Sequence, residues 1–464
     1  MSALTALLSA AGSAQYAADV SALHIKDGRS AIAEALPISD VAAGAYGALA
    51  LAAADLQAAR GGRVLTPVVD RRLAGLAMAG NEYLRIENAP PNAWDPITGY
   101  YQCGDGGYVY LHANFPHHRD GLFRVFNAHD RDAMEATLKR WNAPDAEETA
   151  QRAGLCCIML RDRQTWEAHP HRAALSQMPV IAMSDLAEGT RGLDAGAAPS
   201  LPLSGVRVLD LSRVIAGPMA GRALAELGAD VLRISAPDLP HIPPLIVDTG
   251  FNKRAAFADL TTADGRATLT RLIADADVVI DGFRPGALAA KGFGAADIAA
   301  LNPDISVVTL SAFADVGPWA GRRGYDSYVQ GAVGLTAPEK AGDAPVRLAC
   351  QPLDYLTGCL SAFAAVVMLL NRAQTGGGAR MAELSLARTA MWLWDMADEI
   401  GPEKDIPARN TTWEEAESEG FLRHLDSDLG AVTSLAPPFG FVEDRLTWRA
   451  PQPLGSSAPE WMAR

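Results

Sequence analysis

The sequence predicts an α/β protein, a doubly wound parallel sheet joined to a smaller α+β domain, and three observations carry that expectation. First, short β-branched apolar runs at Val206–Leu211, Asp230–Ile234, Asp277–Asp281 and Ile305–Ser311 alternate with helical stretches, including Pro218–Leu227 and Asp264–Asp275. Continuous apolar runs of this length suit parallel strands buried on both faces. Pro218 suits a first helical turn and Gly228 the position just past a helix end. Second, "GYYQCGDGGYVYLHANFPHHRD" reads as a hairpin turning at Gly104-Asp105-Gly106-Gly107, with a polar helical stretch following to about residue 150. Third, "LAEGTRGLDAGAAPSLPLSG" is rich in Gly, Ala, Ser and Pro and reads as a linker between the two. In an open α/β sheet, ligands are expected beyond the carboxyl ends of the strands.

Composition narrows the function classes. At 464 residues the chain exceeds one ordinary core, and roughly 150 residues per domain gives about three. Hydrophobic residues make up 49% and charged residues 20%, a globular balance, and the net charge of −14 argues against non-specific nucleic-acid binding. No stretch approaches ~20 uninterrupted apolar residues, so no membrane span is expected. The first residues lack a basic region, so no secretory signal is expected. Cys103, Cys156, Cys157, Cys350 and Cys359 form no paired framework, which suits reduced thiols in a cytoplasmic protein.

A directional repeat links the two ends of the chain. "ISDVAAGAYGALALAAADLQAARGG" and "PLDYLTGCLSAFAAVVMLLNRAQTGGG" each place an Asp at a helix start with a Gly four residues on: Asp40 with Gly44, Asp354 with Gly358. Each then runs apolar into an Arg and a glycine cluster. Two unrelated Ala-rich core helices would show the same pattern. Residues 352–400 read as mostly helical, and the tail from 401 as an extended segment packed over other domains.

The turn after the first strand lacks the dinucleotide fingerprint. Its glycines, Gly217 and Gly221, miss the G-x-G-x-x-G spacing, and Ser235-Ala236-Pro237 stands where an acidic residue would hold a ribose. NAD is therefore not expected. A helix N-terminus behind a small-residue turn can still receive phosphate; a plain strand–helix crossover is the alternative. Lys253, Arg254 and Arg284 are cations able to pair with phosphates, although solvation is the usual role of such residues. His112, His117 and His118 cluster, but zinc sets bring spaced pairs plus a further ligand. None is evident, so no metal is expected and the histidines read as a hairpin-edge cluster packed on a neighbouring domain.

The stretches "GVRVLDLSRVIAGPMAGRALAELGADVLRI", "NKRAAFADL", "GFRPGAL", "RRGYDSYVQGAVGL" and "PLDYLTGCLSAFAAVVMLLNR" occur in the order seen in the class III CoA-transferases, the CaiB/BaiF family. The resemblance covers about 205–400, and 36–180 resembles the later part of a second family unit. It implies a Rossmann-like large domain with a smaller α+β domain, acting on acyl-CoA thioesters. The implied layout is a helical partial unit over 1–95, a small α+β domain over 96–185, a linker over 186–204, a CoA-binding catalytic domain over 205–400 and a tail over 401–464. It further implies that Asp354 is the nucleophile of an acyl-CoA:carboxylic acid CoA-transferase. A carboxylate at a helix N-terminus is expected to stay ionised and can attack a thioester carbonyl; an ordinary N-cap is the alternative. By the same resemblance Arg213, Val214 and Ala216 contact the CoA nucleotide, with Lys253 and Arg254 as its basic stretch and Arg284 with Gly286 as its "RPG" turn. Family racemases carry a histidine where this chain has Tyr325 within Gly324-Tyr325-Asp326, which counts against racemisation. Asp40 begins an equivalent helix with only 39 residues ahead of it, so a relic or structural role is expected there. The chain resembles an incomplete fusion of two units, the early half supplying the small domain that covers the pocket of the later half. The family's interlocked dimers imply a homodimer, some of whose contacts a fused chain can satisfy internally. Other CoA-ester chemistry, of racemase or lyase type, and a catalytically silent CoA-ester binder are the competing readings.

Overall fold

A computed structural model describes residues 4–5, 19–193, 198–336, 344–444, 446 and 448–463. Residues 194–197 of the expected linker and most of the first 18 residues of the expected helical unit lie outside the described residues. In chain order the first half runs β1 (His24–Lys26), α1 (Ile38–Ala59), β2 (Pro67–Asp70), α2 (Arg71–Ala77) and β3 (Arg85–Ile86). It continues through β4 (Gly99–Gln102), β5 (Tyr108–Leu111), α3 (Pro116–Phe126), β6 (Cys157–Met159) and β7 (Ala182–Ala187). The second half begins with β8 (Arg207–Leu211), α4 (Ala216–Glu226), β9 (Asp230–Ser235), β10 (Arg254–Phe257), β11 (Val278–Asp281) and β12 (Ser306–Ser311). Then come α5 (Asp326–Ala332), α6 (Pro352–Thr375), β13 (Ala379–Ser385), α7 (Leu386–Ile400), β14 (Leu422–Ser427), β15 (Gly430–Leu435) and β16 (Phe439–Phe441).

The four expected parallel strands form the centre of a seven-stranded sheet ordered β10-β9-β8-β11-β12-β13-β7. Every pairing in it is parallel except that of β7 on β13. Alternate residues enter opposite cores: Val208, Val278 and Ile280 face α4 and α6, while Leu209, Val279 and Val307 face the helix Ala263–Ala274. That two-sided burial is why these strands read as unbroken apolar runs. Strand order reverses between β8 and β11, which places a crevice beyond their carboxyl ends.

The structure corrects the sequence reading in three places. Strand β13 lies inside the stretch taken as helical. Its "ARMAELS" has no β-branched residue, and six-residue pairing with β12 overrides local preference. Residues 182–187 belong to the large sheet as β7, so the small domain ends before 182 and not at 185. The tail is not merely extended. It forms the helix Trp413–Ser418, the hairpin β14–β15 that pairs with β3, and β16 that pairs with β2. Strands β15 and β16 find partners in the first half of the chain, where no local periodicity reveals them, while β14 pairs with β15 alone.

The repeat is structural. In the first half β1 pairs parallel with β2, with α1 between them and α2 after; in the second, β12 pairs parallel with β13, with α6 between and α7 after. Asp40 and Asp354 are each the third residue of their helix. Helix α6 packs along both α1 and α4. The capping strands are exchanged: β7, closing the first half, runs antiparallel on β13, and β16, near the end of the second, runs antiparallel on β2. Helices α1 and α6 are long and apolar enough to cross a membrane by length and composition, yet their most apolar windows are 89% and 100% buried inside this fold. The small domain is the sheet β4-β5-β6, whose expected hairpin pairs Gln102 with Tyr108, backed by α3 and the helices Arg131–Leu138 and Ala143–Arg152.

Candidate active site

Helix α6 starts with Pro352, whose missing N–H costs nothing in a first turn, and brings Asp354 to a buried position, 6% exposed. The Asp354 backbone N–H donates to Asp326 Oδ2 at 2.8 Å. Asp326 opens α5 and also accepts from the Gln330 side chain. No cation pairs with either carboxyl among the described residues. Burial pushes the Asp354 carboxyl well above the usual range, and the Asp326 charge pushes it further. Burial raises Asp326 to about 7 against the backbone N–H groups that oppose it. The expected ionised carboxylate is thus corrected: a helix N-terminus contributes typically 0.3–1 kcal/mol, less than desolvation next to a like charge.

The surroundings of Tyr325, whose phenol senses the Asp354 charge, come from both halves. Tyr325 precedes Asp326, and its phenol is pushed far up by burial, with Cys156 and Asp354 adding to the effect. The ring of His112 stacks on Tyr325 at 3.7 Å, and His118 Nε2 lies 3.5 Å from its hydroxyl. Phe115 completes these surroundings, 6.0 Å from Tyr325. Burial holds the imidazoles of His112 and His118 down at about 3, so both are neutral. The histidine cluster therefore packs on the neighbouring domain as the sequence reading expected, and its members form no metal-holding group with other ligands among the described residues.

The turn expected to meet the CoA nucleotide follows β8. Val214 takes φ 72, a left-handed backbone that costs a β-branched residue on the order of 1–3 kcal/mol. Arg213 lies 5.7 Å over the Phe115 ring and donates to the Pro240 carbonyl at 3.1 Å. Ala216 opens α4. The two glycines serve packing. A Cβ on Gly217 would meet Ser212 Cβ at 2.4 Å, and one on Gly221 would meet Lys253 Nζ at 2.8 Å. Gly358 lets α6 approach the same turn, since a Cβ there would meet the Ala216 carbonyl at 2.6 Å.

Two of the expected phosphate contacts are placed elsewhere. Lys253 is 3% exposed; its ammonium donates to Asp210 Oδ2 at 2.7 Å and to the Pro218 carbonyl. Burial lowers it to about 7 against the Asp210 charge. Arg254 forks onto Asp230, the first residue of β9, at 2.9 and 3.0 Å. Both cations hold strands and helices together, because internal carboxylates reach them first. The sequence reading missed Arg233, 4% exposed on β9 and 3.7 Å from Asp210. With Lys253 protonated it leaves a net positive charge buried under the turn that follows β8. Arg284 and Gly286 are exposed beyond the end of β11. Between them and β9 lies an apolar cleft lined by Ile234, Leu260, Phe283 and Leu288, with Lys291 at its rim.

Asp40 occupies a different setting. Arg71 donates to both its carboxylate oxygens at 2.8 Å and to Glu403 at 2.9 Å. Arg71 is the first residue of α2; the first residue of α7 is Leu386. A pocket lined by Asp27, Arg29, Asp40, Arg71, Glu403 and Lys404 opens there.

The profile of CoA-transferase family III matches residues 9–195 and 203–412. Over 207 residues the chain is 34% identical to the acetyl-coenzyme A transferase nodX of Hypoxylon pulicicidum, covering 43% of this chain and 35% of that one. It is 34% identical over 196 residues to the succinate–glutarate CoA-transferase of Agrobacterium fabrum, covering 38% and 49%. A crystal structure of a hypothetical protein from Mycobacterium tuberculosis aligns with a TM-score of 0.40 and 30% identity, over 44% of this chain and 58% of that one. The chain spans about a third to a half of the length of these curated relatives. Both halves carry the family's pattern, and the chain belongs to CoA-transferase family III.

Proposed function

We propose that this protein moves coenzyme A from an acyl-CoA donor to a carboxylic acid acceptor through a thioester on Asp354. The observation that carries the reading is a buried carboxyl at the third position of α6 with no cation beside it among the described residues. Once deprotonated, a desolvated carboxylate is a stronger nucleophile than one tied to a guanidinium. An Asp354 oxygen attacks the thioester carbonyl and the C–S bond breaks, giving a mixed anhydride and CoA thiolate. The thiolate attacks the aspartyl carbonyl, forming aspartyl-CoA and releasing the donor acid. The acceptor carboxylate then attacks aspartyl-CoA, the thiolate leaves again, and its attack on the acceptor's acyl carbon frees Asp354. The cycle conserves the thioester and balances without a metal.

Tyr325 acts in this scheme as a hydrogen-bond donor to the oxyanion. Its phenol keeps its proton at neutral pH, which disfavours it as the base of a racemase. Arg213, Val214, Ala216, Arg284 and Gly286 contact the CoA nucleotide, and the apolar cleft beside Lys291 takes its base. Lys253 and Arg254 support that surface from beneath. The reciprocal strand exchange supports the reading that the early half covers the pocket of the later half. The buried thiols, in no disulfide among the described residues, support a cytoplasmic placement.

Intact-protein mass spectrometry after exposure to a panel of acyl-CoAs tests the reading. A CoA adduct, released by hydroxylamine and mapped to the peptide containing Asp354, is expected. Turnover of a single CoA ester without an acceptor would instead mark racemase or lyase chemistry. CoA binding with neither adduct nor turnover would mark a silent binder.

A further inference from the structure

The small domain of the early half clamps Tyr325 on two sides. The ring of His112, directly after β5, lies flat on the phenol ring, 3.7 Å between centroids and 11° between planes. His118, in the first turn of α3, meets that ring edge-on at 87° and brings its Nε2 atom within 3.5 Å of the Tyr325 hydroxyl. Both histidines are buried, 5% and 1% exposed. The stack fixes the plane of the phenol, and His118 is the hydroxyl's one hydrogen-bond partner among the described residues. Tyr325 itself belongs to the later half, one residue before Asp326, which accepts the Asp354 N–H. A side chain of one half thus meets the oxyanion donor proposed for the other.

A hydrogen bond between a phenol and a neutral imidazole can run either way, and the other ring nitrogen decides its direction. Burial keeps His118 neutral, so its ring carries a single N–H. Its Nδ1 atom is buried and has no partner among the described residues. A proton on Nδ1 would be an orphaned donor in the interior, which folded proteins rarely keep; an unused lone pair there is tolerated more often. The proton therefore belongs on Nε2, and His118 donates to the Tyr325 oxygen. That leaves the phenol's own proton uncommitted. Tyr328, three residues further along α5, shows the completed form of this arrangement. Arg322 donates to its oxygen at 2.8 and 3.1 Å, and its own proton goes to the Cys157 carbonyl at 3.1 Å.

We propose, on the transferase reading above, that His118 is a positioning residue for the reaction: its Nε2–H donates to the Tyr325 oxygen and leaves the phenol proton to the thioester oxyanion. The early half of the chain then sets the geometry of a group that acts in the later half. A donor into the phenol oxygen also polarises the O–H bond, so the pair stabilises the oxyanion more than the tyrosine does alone. No proton changes hands: His118 keeps its N–H, and the phenol keeps its proton while donating it.

Two measurements on the full chain test this. Long-range proton–nitrogen NMR of histidine-labelled protein at neutral pH reads the tautomer of His118, its signals identified by their loss in His118→Gln. The Nε2–H form is expected; the Nδ1–H form or an imidazolium overturns the proposal, whatever the protein catalyses. The second measurement is a double-substitution cycle on the rate constant of adduct formation at Asp354. It is followed by intact mass with an excess of whichever of acetyl-CoA, butyryl-CoA and succinyl-CoA labels the wild type fastest. A rate constant, unlike an amplitude, is insensitive to an unfolded fraction. His118→Phe is expected to slow labelling about tenfold, and His118→Gln, which keeps an N–H donor, less than about threefold. Tyr325→Phe is expected to slow it about 100-fold. In the Tyr325→Phe background His118→Phe is expected to cost less than about twofold more, because its effect passes through the phenol. An equal loss in both backgrounds marks His118 as structural only and overturns the proposal. If none of the three esters labels Asp354 in the wild type, the transferase reading falls and the tautomer alone decides the His118–Tyr325 hydrogen bond.

Discussion

Helices α1 and α6 start alike and end in different chemistry. Each carries an aspartate as its third residue, a glycine four positions on and a parallel strand pair at its side. Asp40 is clasped by both arms of Arg71, which also binds Glu403. Asp354 lies beside another carboxyl and pairs with no cation among the described residues. The difference sits at equivalent positions of the following helices, Arg71 opening α2 and Leu386 opening α7. On the proposed reading of Asp354, the guanidinium helps keep Asp40 structural: it lowers the energy of the anion and occupies the oxygens that would attack.

Several substitutions break or sharpen that contrast. The largest effect is expected from Asp354→Asn, which removes the proposed nucleophile and lowers acyl transfer by about 10^4 or more, whereas Asp40→Asn lowers it less than about threefold. Steady-state kinetics on the two variants separate them. Next comes Gly358→Ala. The added Cβ meets the Ala216 carbonyl at 2.6 Å and Met219 Cβ at 2.9 Å, so α4 and α6 move apart at a cost of roughly 1–3 kcal/mol. Urea unfolding reads the loss of stability, and a weaker Kd for CoA is expected with it.

Arg71→Leu makes the first half copy the second. It strands Glu403, 6% exposed at its side chain, and is expected to destabilise by about 1–3 kcal/mol, visible as a lower Tm at neutral pH. A gain of adduct on Asp40 is not expected, because its neighbourhood has no counterpart to Tyr325 or to the turn after β8 among the described residues.

The smallest effect concerns pH. Asp354 and Asp326 have folded-state values raised above their unfolded values. Between about pH 4, the unfolded value, and the folded pair's titration, reaching about 7 for Asp326, the native state binds more protons. Stability contributed by this pair therefore falls as pH rises through that window. Asp354→Asn removes part of the slope, so its Tm is expected to exceed wild type more at pH 7.5 than at pH 5. The rate of adduct formation in the wild type is expected to rise over the same interval, as the attacking anion forms.

The parallel strands, the hairpin at 104–107 and the two aspartate-led helices were legible because each is local: a run of Val, Ile and Leu, a Gly-rich turn, an Asp before an apolar stretch. Strand β13 was not, since Arg380 and Glu383 look helical until β12 lies beside them. Strands β7, β15 and β16 were hidden for the same reason, each with a partner in the opposite half. At the site, Asp354 could be named from its motif, but its electrostatics could not, because desolvation and Asp326 are properties of the packed chamber. Lys253 and Arg254 looked available only because Asp210 and Asp230 are distant in sequence.

The most direct test of the account is peptide mapping of the adduct formed by the full chain with an acyl-CoA. A hydroxylamine-labile CoA thioester is expected on the peptide carrying Asp354 and none on the peptide carrying Asp40. An adduct on Asp40, or turnover undiminished in Asp354→Asn, would contradict it.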